Sequence, residues 1–306
     1  MVVTVTVNPA IDSAILADRL AFEDRGYVLQ RGESAGGRGL NASSVLHAFG
    51  MPTRAIVVSG GESGKRFEEC LARQGFAYDV VPIAQNLRTN LIITDRQGLT
   101  IKLNEMGPSL TEQELAQLEE TVRGRLAEAR WLLLCGSLPP GAPPQFYNRL
   151  IQAAREHGVE TLLDTDGEVL QFGLEEQPTM VTPNQQEAAR LLNRALITRQ
   201  HFRTAAQRIL GMGAQSVMIS VGSRGAIAGM GNQIVEIVPP RVEAVSPIGS
   251  GDALNAAFVW ARVNGYDFVE AARWGVAAGT ASAKLPGTRF ANLEQTKEIY
   301  VQVEVR

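Results

Sequence analysis

The sequence predicts an α/β fold: a mostly parallel central sheet covered by helices on both faces, with a small β-sheet lid inserted in it. Three observations carry this. Strand and helix patterns alternate with short connections along most of the 306 residues. The run Ala55-Ile-Val-Val-Ser59 is apolar nearly throughout, as in strands buried on both faces. Two stretches, about 12–35 and 86–106, break the alternation and read as antiparallel pieces able to form a separate lid.

The elements follow in order. Met1-Val-Val-Thr-Val-Thr-Val7 alternates with period two and starts as a strand. The chain then reads as irregular to about Gly26, with a short strand at Tyr27–Arg31. Gly36-Gly-Arg-Gly39 opens a helix, Leu40–Phe49, closed by Gly50 and Pro52. A strand at Ala55–Ser59 and a helix at Gly64–Gln74 come next. Leu91–Thr94 and Thr100–Leu103 flank Asp95-Arg-Gln-Gly98 as a hairpin. Thr111-Glu-Gln-Glu114 is a capping box for a helix running to about Arg130.

Strands are then predicted at Trp131–Cys135, Thr161–Asp164, Thr179–Thr182 and Ser216–Ser220. Helices are predicted at Pro144–His157, Gln185–Leu192 and Phe202–Leu210. Strands with glycine turns reach Val238, and Ala- and Gly-rich helices cover Asp252–Val263 and Phe268–Lys284 before a short terminal helix. No repeat or Ser/Pro-rich linker divides the chain, so one domain over 1–306 is expected.

Composition excludes several classes. With 45% hydrophobic and 20% charged residues the chain has ample apolar surface to bury, so disorder is excluded. Two cysteines cannot make a disulfide scaffold, and Cys70 and Cys135 are expected as buried free thiols. A net charge of -3 without a basic run argues against a nucleic-acid partner. No apolar run is long enough to span a bilayer, and no signal-peptide pattern opens the chain. A cytoplasmic protein without a membrane partner is the expectation. Glycine, at 30 residues, exceeds the usual share of about 7%. That excess points to tight turns or to backbone approaching a ligand.

In open parallel sheets ligands bind at the C-terminal ends of strands. Five segments fall there: Asn8–Asp12, Gly36–Asn41, Cys135–Gly141, Ser220–Gly225 and Gly249–Asp252. Gly249-Ser-Gly251 precedes a helix, so its free N–H groups and the helix dipole make an anion site. Asp252 stands in the first turn, where the dipole favours the ionised form. A carboxylate beside a phosphate cradle makes sense if it accepts a proton from an attacking hydroxyl. A plain helix cap with turn glycines is the alternative reading.

Residues 37–42 also match the dinucleotide pattern G-x-G-x-x-A, which keeps a nicotinamide-dependent oxidoreductase open as a rival. Close approach to a polyhydroxyl ligand fits that loop equally, with Asn41 offering donors and an acceptor. Arg25, Arg38 and Arg88 together would suit a phosphorylated substrate. Asn184 and Glu187, three apart, either orient a hydrated Mg2+ or form an N-cap with its capping-box partner. His47, His157 and His201 have no metal spacing, and no Walker A pattern is present.

Taken in order, these segments resemble the ribokinase-like carbohydrate kinases, in particular the phosphofructokinase B branch. The resemblance covers essentially the whole chain. Asn8-Pro-Ala-Ile-Asp12 is similar to the family's N-terminal substrate motif. Gly36-Gly-Arg-Gly-Leu-Asn41 is similar to its first glycine signature, and Gly249-Ser-Gly-Asp252 to its second. Arg88-Thr-Asn90, Asn104–Pro108 and Gly136–Gly141 are similar to segments of its sugar-phosphate members.

The resemblance implies a ribokinase-like three-layer α/β/α fold. It implies ATP-dependent, Mg2+-assisted phosphorylation of fructose 1-phosphate or fructose 6-phosphate, or alternatively tagatose 6-phosphate. It further implies Asp252 as general base, with backbone N–H groups of Gly249, Ser250 and Gly251 as the anion hole. Asp12, Gly37, Asn41 and Ser137 would hold the sugar, with Arg25, Arg38 and Arg88 near its phosphate. Ser220, Gly222, Gly225 and Gly279 would contact the nucleotide, Asn184 among them. Asn184 and Glu187 would order Mg2+ through water. The lid would close over the sugar and pair two subunits as a homodimer.

Three positions depart from the family's habit. Thr182 stands where Lys is usual, Pro247-Ile248 where Thr-Val is usual, and Arg38 where Lys or Gly is common. The lost charge at Thr182 also suits a low-activity sugar-phosphate sensor of the same fold. Retention of Asp252 argues against that alternative.

Overall fold

The computed structural model describes residues 1–21 and 23–306; Phe22, within the expected lid segment, lies outside the described residues. The elements are β1 (Val2–Thr6), β2 (Ala10–Ala17), β3 (Val28–Gly36), α1 (Arg38–Ala48), β4 (Thr53–Gly60) and α2 (Gly61–Ala72). Then come β5 (Ala77–Ile83), β6 (Arg88–Asp95), β7 (Thr100–Asn104), α3 (Glu112–Leu126), β8 (Trp131–Cys135), α4 (Phe146–Glu156) and β9 (Glu160–Asp164). Next are α5 (Gly167–Glu175), β10 (Met180–Val181), α6 (Gln185–Leu191), α7 (Arg199–Gly211), β11 (Ser216–Ser220), β12 (Ala226–Met230) and β13 (Gln233–Val238). The chain finishes with α8 (Ser250–Val263), α9 (Phe268–Ala283), α10 (Leu293–Tyr300) and β14 (Glu304–Val305).

The large sheet has ten strands in the order β14-β13-β12-β11-β10-β9-β8-β1-β4-β5. From β11 to β5 all neighbours are parallel, and β12, β13 and β14 add antiparallel pairs. Helices cover both faces, and the alternation of side chains divides the core in two. In β8, Leu132 and Leu134 face α2–α7, while Trp131, Leu133 and Cys135 face α1 and α8–α10. That is the three-layer α/β/α arrangement.

The small sheet has the order β3-β2-β6-β7, with β2 and β6 parallel and the outer pairs antiparallel. Strand β2 falls where the sequence reads as irregular. Its pattern, Ala-Ile-Asp-Ser-Ala-Ile-Leu-Ala, interrupts the apolar alternation with Asp12, whose carboxylate serves the site described below. Strand β3 runs on to Gly36, well past the expected Arg31.

Strand β5 was also not expected, because Pro82 interrupts it. A proline is tolerated there because β5 is an edge strand. Helix α5 is hidden by Gly167 and Gly173, and a Cβ at Gly173 would strike the Leu163 side chain. Helix α8 starts two residues earlier than predicted, which puts Ser250 and Gly251 in its first turn. Cys70 and Cys135 are buried free thiols, as expected. Among the described residues no helix is long and apolar enough to cross a membrane.

Candidate active site

The five predicted segments gather at the C-terminal ends of β1, β8 and β11 and at the starts of α1 and α8. A cavity of about 210 Å³ lies there, lined by Arg38, Asp164, Thr182, Asn184, Glu187, Ser220, Gly249, Gly251, Asp252 and Asn255 among others.

Gly249 caps α8 in the left-handed region, at φ +76°, with no side-chain cap. A Cβ there would lie 2.6 Å from the Phe290 ring, so both space and φ require glycine. The first-turn N–H groups of α8 have no preceding turn to accept them. Ser250 departs from the expected set, because its N–H already donates to the Pro247 carbonyl at 3.3 Å.

Asp252 is buried, and the Asn41 amide donates to its carboxylate at 2.7 Å. Its pKa is pushed up to about 7, first by burial and then by the charge of Asp164. The Asn41 bond and Arg38 oppose this. The helix terminus favours the ionised form, as expected, but desolvation acts against it and is the larger effect. A carboxyl poised near neutrality is suited to accept a proton and release it. Asn41, expected on the sugar, is instead bonded to this acid.

Arg38 donates to Asp164 at 2.9 Å and to Glu187 at 3.2 Å, and these charges hold it firmly protonated. It is thus tied to carboxylates rather than standing free beside a sugar's phosphate. Asp164 was not anticipated; the signal was a carboxylate following Leu162 and Leu163 at the C-terminal end of strand β9. Glu187 is buried, its pKa raised chiefly by burial, and it accepts the Asn184 N–H at 2.8 Å. Asn184 Oδ1 in turn accepts from the N–H groups of Gln186 and Glu187, so the capping box is real. Thr182 is buried against the cavity, and its Oγ1 has no partner among the described residues.

Ser220 pairs with Asn184 in an isolated bridge, and a 3-10 turn follows from Gly222 to Arg224. Gly225 sits at φ +94°, where a Cβ would strike the Ile237 carbonyl. Gly279 differs from expectation. It is buried in α9, and a Cβ there would lie 2.8 Å from the Ser250 carbonyl, so it lets α9 pack under the start of α8.

The small sheet contributes the other half. Asp12 and Asn90 are register partners of β2 and β6, and the Asn90 amide donates to Asp12 at 2.8 Å. Burial raises the Asp12 pKa, while Asn90 and the charge of Arg88 lower it. Gly36 lies against this carboxylate, and Gly37, at φ +141°, against Thr6. Arg88 donates to the Asn8 carbonyl at 2.9 and 3.2 Å and to the Glu105 carbonyl at 3.1 Å. Burial lowers its pKa, and the charge of Arg38 adds to the effect. Ser137 Oγ accepts from Asn8 at 3.4 Å.

Arg25 does not join them. It follows the Ala17–Val28 end of the β2–β3 ladder, five residues beyond Asp12, or about 16 Å along the strand. It is exposed, and its carbonyl accepts from Arg19.

The profile of the pfkB family carbohydrate kinases matches residues 5–296. The chain belongs to this family. It is 31% identical over 300 residues to the ATP-dependent 6-phosphofructokinase isozyme 2 of Escherichia coli, covering 97% of both chains. It is 30% identical over 306 residues to the 1-phosphofructokinase of Borreliella burgdorferi, covering all of this chain and 98% of the other.

The crystal structure of the Escherichia coli phosphofructokinase-2 with potassium superposes at a TM-score of 0.92, with 30% identity and 98% of each chain covered. The Arabidopsis thaliana ribokinase superposes at 0.77 with 19% identity and 98% of each chain covered, a likeness of fold alone. This pfkB kinase therefore has the ribokinase-like fold and is an ATP-dependent sugar kinase. The oxidoreductase suggested by residues 37–42 is set aside.

Proposed function

We propose that the chain transfers the γ-phosphoryl group of ATP to a hydroxyl of a ketohexose phosphate, fructose 6-phosphate or fructose 1-phosphate, giving a bisphosphate. The observation that carries this is Asp252, buried at the start of α8, bonded to Asn41 and titrating near neutrality. The relatives named 6-phosphofructokinase isozyme 2 and 1-phosphofructokinase support the substrate class.

In this reading Asp252 accepts the proton of the attacking hydroxyl as the oxygen–phosphorus bond forms. The N–H groups of Gly249 and Gly251, without the Ser250 N–H that Pro247 occupies, face the charge that builds on the transferred group. Asp12, held by Asn90, bonds sugar hydroxyls and fixes the approach of the attacking one. Ser220 and the Gly222–Gly225 turn border the nucleotide.

The carboxylates of Glu187 and Asp164 suit a hydrated Mg2+, which binds few protein oxygens directly. Among the described residues no cluster of three ligands would grip a bare ion. When bound, Mg2+ neutralises phosphate charge. The small sheet closes over the sugar and excludes water, a competing acceptor. Its strands and adjoining turns expose Tyr27, Val28, Leu29, Leu99 and Leu103, apolar surface that suits pairing with a second copy.

ADP release measured over a panel of phosphorylated and free hexoses tests the reading. Turnover on fructose 6-phosphate or fructose 1-phosphate is expected. No turnover on any phosphosugar, with binding retained, would overturn it in favour of a sensor.

A further inference from the structure

Among the described residues lining the strand-end cavity, Arg38 is the only cation, against three carboxylates, Asp164, Glu187 and Asp252. A polyphosphate entering such a cavity meets repulsion unless a cation faces it. Among the described residues only two of the five guanidinium donors are used, one on Asp164 and one on Glu187. The rest are available to phosphoryl oxygens.

The placement is rigid. Arg38 and Asn41 stand three apart on α1 and so share a face. Asn41 bonds Asp252, so one helical turn sets both the proton acceptor and the cation. Another wall of the cavity is Thr182, buried, with Oγ1 unpartnered and no charge to offer.

We propose that Arg38 is the catalytic cation for the transferred phosphoryl group, and that Asp164 and Glu187 are positioning residues that aim it. This rests on the kinase reading above. It moves Arg38 from the sugar's own phosphate, where the sequence placed it, to the reacting one. In the step the hydroxyl proton passes to Asp252 and the sugar oxygen bonds the γ-phosphorus. The bond from that phosphorus to the bridging oxygen breaks, and its electron pair leaves on ADP. Arg38 changes no covalent bond; it offsets the charge spread over the equatorial oxygens.

Steady-state kinetics and melting temperatures of four proteins test this: wild type, Arg38→Gln, Arg38→Gln/Asp164→Asn and Arg38→Gln/Thr182→Lys. Arg38→Gln is expected to lower kcat about a hundredfold or more, with KM for the sugar phosphate changed by less than about threefold. The pair with Asp164→Asn removes the orphaned buried charge, so it regains melting temperature but not kcat. Thr182→Lys supplies a cation from another wall and restores about tenfold of the lost kcat.

Recovery of kcat together with stability in Arg38→Gln/Asp164→Asn would mean that Arg38 only neutralises its partners, and would overturn the proposal. So would a raised KM for the sugar phosphate with kcat intact. Either result leaves the kinase reading standing. Absence of turnover in the wild type would overturn both.

Discussion

The side-chain amide of Asn41 donates to the Asp252 carboxylate across 2.7 Å, although 211 residues separate them in sequence. The bond favours the ionised acid, against burial and the nearby Asp164. Asn41→Ala should therefore move the acid limb of the rate profile to higher pH and lower kcat about tenfold or more. A pH–rate series on the variant checks both. An unmoved limb would detach Asn41 from the acid's titration.

The wild-type profile follows from Asp252 titrating at about 7. Below that pH the acid is protonated and cannot accept a proton. The logarithm of kcat/KM should rise with unit slope up to about pH 7 and then level. Initial rates from pH 5 to 9 with ATP saturating are the measurement.

Asp252→Asn should lower kcat by about 10²–10⁴ while stabilising the protein above neutrality. The sign follows from the raised pKa. The folded state holds this proton more tightly than the unfolded chain, so the benefit of burying a neutral acid is present at low pH. It is lost as pH rises from the unfolded value, 3.8, through the folded one, about 7. Replacing the carboxylate removes that loss, up to about 4 kcal/mol at pH 8 and little at pH 4. Melting curves at the two pH values decide it.

Gly36→Ala should raise KM for the sugar with a smaller effect on kcat. A Cβ at Gly36 would overlap the Asp12 carboxylate and push it from the Asn90 amide. Losing one charge-assisted bond to the substrate corresponds to about 10- to 100-fold in KM. Kinetics with ATP saturating separate the two constants.

Leu29→Glu with Leu103→Glu should turn a dimer into a monomer if the outer face of the small sheet is the subunit contact. Both side chains are exposed in the single chain. Charges on a buried apolar face are costly, so dissociation should be nearly complete at micromolar protein. Sedimentation velocity of variant and wild type reads this directly.

Much of this was legible in the sequence. Strand and helix alternation gave the layers, because parallel strands buried on both faces must be apolar, as Trp131–Cys135 is. The glycine turns at Gly36 and Gly249 marked the starts of α1 and α8 because little else tolerates their contacts. Side-chain partnerships were not legible. Nothing local ties Asn41 to Asp252, or Arg38 to Asp164; those pairs follow from which helices and strands lie side by side. The effect of burial on Asp252 was hidden for the same reason. A helix terminus is visible in sequence, whereas burial is not. Strand β2 was missed because its Asp12 breaks the very alternation by which strands are recognised.

The site joins groups drawn from residues 38 to 252 of the chain. During synthesis, α1 has emerged long before α8 exists to dock on it. No nascent fragment lacking α8 carries Asp252, so on the proposed mechanism a half-made chain cannot spend ATP on a stray sugar. Turnover thereby becomes a report on completed folding, one that a cell-based screen for misfolded variants can read without purification.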